Sequence, residues 1–330
     1  MREYAPNLGF MKYLRLYSTD PYYNLAVEEY LLRHTDEDIF MLWQNEKTVV
    51  IGKNQNAYAE IDLDYAKKAG IRISRRISGG GAVYHDMGNV NYTFITSSER
   101  ATALDYAYFT RPIIEALATL GVKAELSGRN DLECGGKKFS GNAQYTGDGR
   151  ILHHGTLLYD TDADVMSRVL RVDKEKLAHR AVKSHKGRVG NLAPLLRGLT
   201  AEGFIKSIEA HVLASTDASR IPIPENEEID ALVRRNSSSE WILSDKRYLT
   251  DYTVKRRKKY PFGIVCIEMT LAGDNIEKLC ISGDFFGTRP VAALEQALLG
   301  HPLASLPDID PSPYVAGMTR EDLASLLQDS

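Results

Sequence analysis

Apolar and polar positions along the chain follow two periods, one helical and one extended, and they divide it into recognisable elements. In "YYNLAVEEYLL", Leu25, Glu28, Glu29 and Leu32 fall at helical spacings behind the start signals Asp20 and Pro21, which predicts an amphipathic helix. Two apolar runs, Ile39 to Trp43 and Thr48 to Ile51, are separated by polar turn residues and predict a strand pair. A short helix is expected around Asp64 to Lys68, then strand "IRISRRI", a run of glycines, and strand "NVNYTFIT". The spacing of Tyr108, Ile113, Ile114, Leu117 and Leu120 predicts a helix over 104–120, with Pro112 kinking it or marking its start.

The stretch from Asp131 to Asp160 alternates strands with glycine turns, the pattern of an antiparallel meander. In its middle strand, period-two alternation sends Lys138, Ser140, Asn142 and Gln144 to one, wet face and Phe139, Ala143 and Tyr145 to the other, dry one. Helices are expected over 163–170 and 200–214, bracketing a basic, glycine-punctuated loop, "VKSHKGRVGN". Between Ser215 and Ser239 the chain turns polar and rich in Pro, Asn, Glu and Ser, which reads as a boundary. Beyond it a hairpin turning near Gly273 to Asn275 precedes helical segments at 291–299 and 319–327, a small α+β unit. The expected division is 1–240 and 241–330.

Composition narrows the class. At 330 residues with 43% hydrophobic and 26% charged positions, the chain is long enough for two domains, and no apolar run is long enough for a membrane span. The amino terminus lacks a secretory pattern, and Cys134, Cys266 and Cys280 are odd in number and widely spaced, which favours a reducing cytoplasm over a disulfide framework or zinc knuckle. A net charge of −3 gives no basic field for nucleic acid.

The candidate chemistry centres on "RRISGGGAVYHD", where consecutive glycines imply that backbone approaches something closely. The run is neither a P-loop nor a dinucleotide fingerprint, because Tyr84 stands where a third spaced glycine would be. It suits an anion nest beside the Arg75 or Arg76 guanidinium, or a β-bulge at a crowded sheet edge. Lys138 lies beside Gly141, which admits close approach of a ligand or another backbone, although a lone strand lysine is ordinarily solvated. Adjacent His153 and His154 diverge on a strand, so only one shares a cleft with Lys138, and no ligand spacing for a metal is complete. Lys183, His185, Lys186 and Arg188 sit in a loop that is either solvated or a lid over an anion. The run "VKRRKKY" reads as a solvated flank, with an acidic docking partner as the alternative.

Taken in order, "RRISGGGAVYHDMGNVNYTFI", "GRNDLE", "KKFSGNAQ", "HHGTLLYD", "GRVGNL" and "ISGDFF" resemble the lipoate-protein ligase A family over nearly the whole chain. The resemblance implies an α+β fold: a large biotin/lipoate-ligase-like catalytic domain with mixed β-sheets flanked by helices, and a small α+β carboxy-terminal accessory domain. It implies that Arg76, Ser78, Gly79, Gly80, Gly81, Ala82, Val83, Tyr84 and His85 hold lipoate and ATP, with Asn130, Asp131 and His154 nearby and Lys138 as the essential lysine. It assigns Lys183, His185, Lys186, Arg188 and Asn191 to a loop covering the adenylate.

The activity so implied is ATP-dependent formation of lipoyl-AMP, assisted by Mg²⁺, and transfer to an acceptor lysine. The implied partners are lipoyl domains of 2-oxoacid dehydrogenase complexes and the glycine-cleavage H protein, with octanoate as a possible alternative substrate. Bringing a carboxylate to the α-phosphate of ATP concentrates negative charge, which calls for cations and N–H donors rather than an enzyme nucleophile. Three rivals stand beside this reading: an ATP-independent octanoyl or lipoyl transferase working through a thioester at Cys134, a non-catalytic binder of lipoate or lipoyl domains, and a biotin ligase, although the loop here is "RRISGGGAVYHD" rather than the "GRGRxGR" type of biotin ligases.

Overall fold

The structure is a computed structural model describing residues 10–171 and 189–328. Its largest element is an eight-stranded sheet ordered β11 (Asp217–Arg220), β1 (Phe10–Arg15), β2 (Ile39–Trp43), β6 (Asn89–Ser97), β10 (Arg150–Leu158), β9 (Lys137–Gly147), β8 (Asp131–Cys134), β7 (Glu125–Ser127). β1 runs parallel to both β11 and β2, and the remaining pairs are antiparallel, so the sheet is mixed. A smaller sheet, β4 (Arg72–Arg75), β3 (Thr48–Ile51) and β5 (Val83–His85), carries the glycine segment between its second and third members in sequence.

Side-chain alternation divides the two faces of the large sheet. Phe40, Leu42, Tyr92, Phe94, Ile151 and Leu157 pack on one face with the helices Tyr106–Thr119 and Ala201–Ala214. Ile39, Met41, Trp43, Ile95 and Leu152 pack on the other against α1 (Pro21–His34). α1 begins where the sequence predicts, with the Asp20 side chain accepting from Tyr22 N and Pro21 in the first turn. Its polar residues do not all face water, however: Glu28 and Glu29 are each 2% exposed. Glu29 pairs with Arg235 at 2.5 Å and Arg33 at 3.0 Å, and Glu28 points inward. Pro112 lies inside the helix that begins at Tyr106, rather than at its start.

The polar stretch after Ser215 is structured. It contributes β11 to the sheet edge, and the helix Glu227–Asn236 packs along α1. The carboxy-terminal part is a separate three-stranded antiparallel sheet, β12 (Val254–Tyr260), β13 (Gly263–Ala272) and β14 (Asn275–Gly283). It is covered by the helices Val291–Leu298 and Arg320–Gln328, and Val265, Ile267, Leu294 and Leu326 build a core of its own. The basic run 254–260 is therefore the strand β12, with its cations mostly exposed. No helix among the described residues is long and apolar enough to cross a membrane.

Candidate active site

A cleft of about 100 Å³ opens between α1, one face of the large sheet and the glycine segment. Leu25, Trp43, Val50, Val83 and Ala143 supply apolar wall, while Lys138, Asn130, His85, Asn91 and His154 supply polar groups. A cleft that combines apolar wall with a few polar groups suits a ligand with a hydrocarbon part and a charged head.

Lys138 reaches this cleft because β9 is irregular. Leu132 pairs with Ser140, but the next residue, Glu133, pairs with Lys138, so Phe139 is an extra residue on β9. Such a bulge reverses the alternation beyond it. Lys138 consequently emerges on the same face as Gly141, where a Cβ on Gly141 would stand 3.2 Å from Lys138 Nζ. The polar row expected from simple alternation is broken. Ser140, Asn142 and Gln144 are buried, at 0%, 3% and 3% exposure, rather than forming a wet face. Asn142 Oδ1 accepts from Tyr92, and Gln144 lies 3.1 Å from His153 Nδ1.

The same alternation separates the histidines. His153 stacks on Phe109 at 4.8 Å, and burial pushes its pKa well below the usual histidine range. His154, opposite Ala143 in register, faces the cleft. Its Nδ1 is 3.0 Å from Glu28 Oε1 and its Nε2 is 2.7 Å from Ser78 Oγ. Glu28 also accepts from Thr93 Oγ1 at 2.5 Å, which in turn accepts from Trp43 Nε1 at 2.9 Å. A buried carboxylate thus ties α1 to the histidine and the histidine to the glycine segment.

The arginines have a structural use. Arg76 Nη2 donates to the carbonyls of Gly79 and Gly81 at 2.7 and 2.8 Å, Nη1 to Val50 O at 3.1 Å, and Nε to Ser78 Oγ at 3.1 Å. Burial lowers its pKa to about 10, which leaves it charged at neutral pH. Arg75 donates to the carbonyls of Gly52, Lys53, Gln55 and Ile242. Both guanidinium forks hold the loop rather than projecting freely toward an anion.

The glycines themselves approach protein. A Cβ on Gly79 would lie 2.4 Å from Phe285 O, and one on Gly80, at φ +90°, 3.0 Å from the Phe286 ring. Gly80 N donates to Phe285 O at 3.3 Å. The Arg129 guanidinium lies over the Phe286 ring, 4.4 Å from its centroid, and also donates to Phe262 O. The small "GDFF" segment of the carboxy-terminal part is thereby clamped between the glycine run and the "GRND" turn.

Of the expected residues, Arg76, Gly80, Gly81, Ala82, Val83, His85, Asn130, Lys138 and His154 line one cleft. Asp131 stands behind, 2.7 Å from Lys138 Nζ, and Ser78 reaches the cleft through His154. Gly79 is turned to Phe285, and Tyr84 is buried with Val49 and Ile51. Lys183, His185, Lys186 and Arg188 lie outside the described residues, whereas Asn191 exchanges hydrogen bonds with the Thr161 backbone. Just before it, Gly190 N donates to Lys138 O at 2.9 Å. Sequence reading missed Glu28, Trp43 and Asn91; the only signal for Glu28 was a second acidic residue at an otherwise apolar helical spacing.

The chain matches the lipoyl protein ligase A/B catalytic domain over residues 20–213 and the bacterial lipoate protein ligase C-terminus over residues 250–327. Lipoate-protein ligase LplJ of Bacillus subtilis is 36% identical over 320 residues, covering 93% of this chain and 97% of that one. Among solved structures, P. falciparum LipL1 in complex with lipoate aligns with a TM-score of 0.72 over 87% of this chain and 88% of its own, at 22% identity, a likeness of fold. A lipoate-protein ligase A bound with ATP aligns with a TM-score of 0.55 and 27% identity over 74% of this chain and 96% of that one. Fold and site thus define a ligase-type α+β protein with a C-terminal appendage. The chain belongs to the lipoate-protein ligase family.

Proposed function

We propose that this protein activates lipoate with ATP and transfers the lipoyl group to a lysine of an acceptor protein. The lipoate carboxylate attacks the α-phosphorus, pyrophosphate leaves, and lipoyl-AMP forms. The neutral acceptor amine then attacks the acyl carbon, AMP leaves, and an amide is made. The observation that carries this reading is the convergence of Lys138 and the Gly80–Val83 segment on one cleft that also has apolar wall from Leu25, Trp43, Val50 and Ala143.

Lys138 neutralises charge at the reacting phosphate, and the glycine segment lets the ligand lie against main chain. Each methylene of the acyl tail buried against Leu25, Trp43 and Val50 contributes about 0.8 kcal/mol. Holding the anhydride away from water protects it until the acceptor arrives. Lipoyl domains of 2-oxoacid dehydrogenases and the glycine-cleavage H protein are the acceptors that suit this family, in the cytoplasm. Residues 1–240 form the catalytic unit in this reading and 241–330 the accessory unit. Among the described residues no group of three or more His, Cys, Asp or Glu side chains is arranged to hold a metal. Mg²⁺ entering with ATP would be held by phosphate oxygens together with at most one or two carboxylates.

The test is pyrophosphate release from ATP with lipoate, octanoate or biotin, with and without a lipoyl domain. Lipoate is expected to support release and the lipoyl domain to become acylated. Acyl transfer that proceeds without ATP, or the absence of release with every acid, would overturn the proposal.

A further inference from the structure

His85 enters the cleft from β5 with one ring nitrogen held and the other free. Its Nδ1 lies 3.1 Å from Asn45 Nδ2, and Asn45 Oδ1 lies 2.9 Å from Asn24 Nδ2. Asn24 settles which way these amides face. Its Nδ2 also reaches the carbonyl oxygens of Ser18 and Gln44 at 2.9 Å each, and only an N–H donates to a carbonyl. Asn45 therefore turns its oxygen to Asn24 and its amino group to His85. A donor facing Nδ1 makes that nitrogen the acceptor, so the single ring proton sits on Nε2.

Burial keeps this ring neutral: desolvation, aided by the charges of Arg76 and His154, lowers its pKa to about 3. Nε2 itself is buried and has no hydrogen-bond partner among the described residues, though His85 lines the cleft. Asn91 on β6 is in the same condition. Its Oδ1 accepts from Asn89 Nδ2 at 2.9 Å, and its Nδ2 is buried and unpartnered, while the residue lines the same cleft. A buried donor left unmet costs about 1–3 kcal/mol, so two of them on residues that line one cleft call for acceptor oxygen there, reached by a small shift of the two side chains.

We infer that His85 Nε2–H and Asn91 Nδ2 donate to oxygens of the acyl-phosphate group, and that Asn24 and Asn45 are positioning residues that lock the His85 tautomer. The inference rests on the ligase reading above. A neutral donor suits this place because it bonds the oxygen before, during and after charge develops, without competing with Lys138 for a counter-ion.

Asn45→Asp tests the lock. A carboxylate there still accepts from Asn24 but demands an N–H from His85 Nδ1, so the neutral ring presents a bare Nε2 to the cleft. The protonated ring keeps both protons. The turnover number for pyrophosphate release is expected to fall about a hundredfold at alkaline pH, the loss typical of a missing oxyanion donor, and to recover on acidification. The wild type lacks that recovery, and His85→Gln in the Asn45→Asp background abolishes it. The groups facing His85 that enter this pH dependence are Arg76, His154 and the edge of Trp43.

The second measurement is ¹⁵N NMR of the wild type. Nε2 is expected to be the protonated nitrogen and to shift when a non-hydrolysable lipoyl-adenylate analogue binds; lipoate alone and ATP alone separate acyl from phosphoryl oxygen. A proton on Nδ1, no response of Nε2 to any of these ligands, or an Asn45→Asp variant with wild-type rates at all pH values would overturn the inference. If the wild type releases no pyrophosphate, the ligase reading fails while the tautomer result still stands or falls by the spectrum.

Discussion

Lys138 Nζ stands 2.7 Å from Asp131 Oδ1, and the two residues lie on neighbouring strands at the point where β9 bulges. The ion pair aims the amine over Gly141, where both residues line the cleft, so one irregular residue in a ladder determines where the positive charge is delivered.

Lys138→Ala is expected to lower pyrophosphate release and lipoyl transfer by at least about a hundredfold, since it removes the cation from the reacting phosphate. The fold should hardly change: the lysine is part-exposed, and an ion pair of that kind contributes about 0–1 kcal/mol. Activity assays beside urea denaturation check both statements; near-normal rates would remove Lys138 from the reaction.

The glycine run can be tested as packing. Gly79→Ala places a Cβ 2.4 Å from the Phe285 carbonyl, whereas a Cβ on Gly81 meets nothing closer than 3.9 Å. Overpacking against backbone costs about 1–3 kcal/mol, so the denaturation midpoint should fall for Gly79→Ala and stay put for Gly81→Ala. Equal stabilities of the two variants would show that the glycine segment and residues 285–286 are not in contact.

Stability should decline on acidification from about pH 6.5 downward. His85 and His153 are buried neutral, with folded pKa values below the unfolded value, so the unfolded chain binds more protons in that window. Stability is then fully present above the unfolded pKa and is lost as pH falls toward the folded one, by at most about 1.4 kcal/mol per pH unit per histidine. Urea midpoints between neutrality and mild acid measure the slope. A flat profile would mean that neither ring is held neutral.

Cys134 is half-buried on β8, packs against the main core, and does not line the cleft. Cys134→Ser is expected to retain full ATP-dependent activity. Loss of activity, together with an acyl-enzyme trapped on the wild-type thiol, would instead favour transfer through a thioester.

Much of this was readable from the chain. Helical spacing placed α1, and glycine turns placed the β8–β9–β10 meander, because those patterns depend on residues close in sequence. The order of the motifs brought out Lys138, His154 and the glycine segment as parts of one site. Period-two reasoning nevertheless grouped Lys138 with Ser140, Asn142 and Gln144 as one wet row, whereas those three are buried and the extra residue Phe139, which leaves no mark in composition, breaks the row. A polar tract between 215 and 239 hid both β11 and a helix packed on α1, whose burial rests on partners some two hundred residues away.

Local pattern therefore determined which segments become helix or strand and which residue types are present for the chemistry. Tertiary structure alone decided that Glu28 is buried against His154, that Arg76 holds carbonyls rather than projecting as a fork, and that Gly79 meets Phe285. The physical reason is that a side chain's partner and its access to water are set by packing between distant segments, which short-range periodicity does not encode.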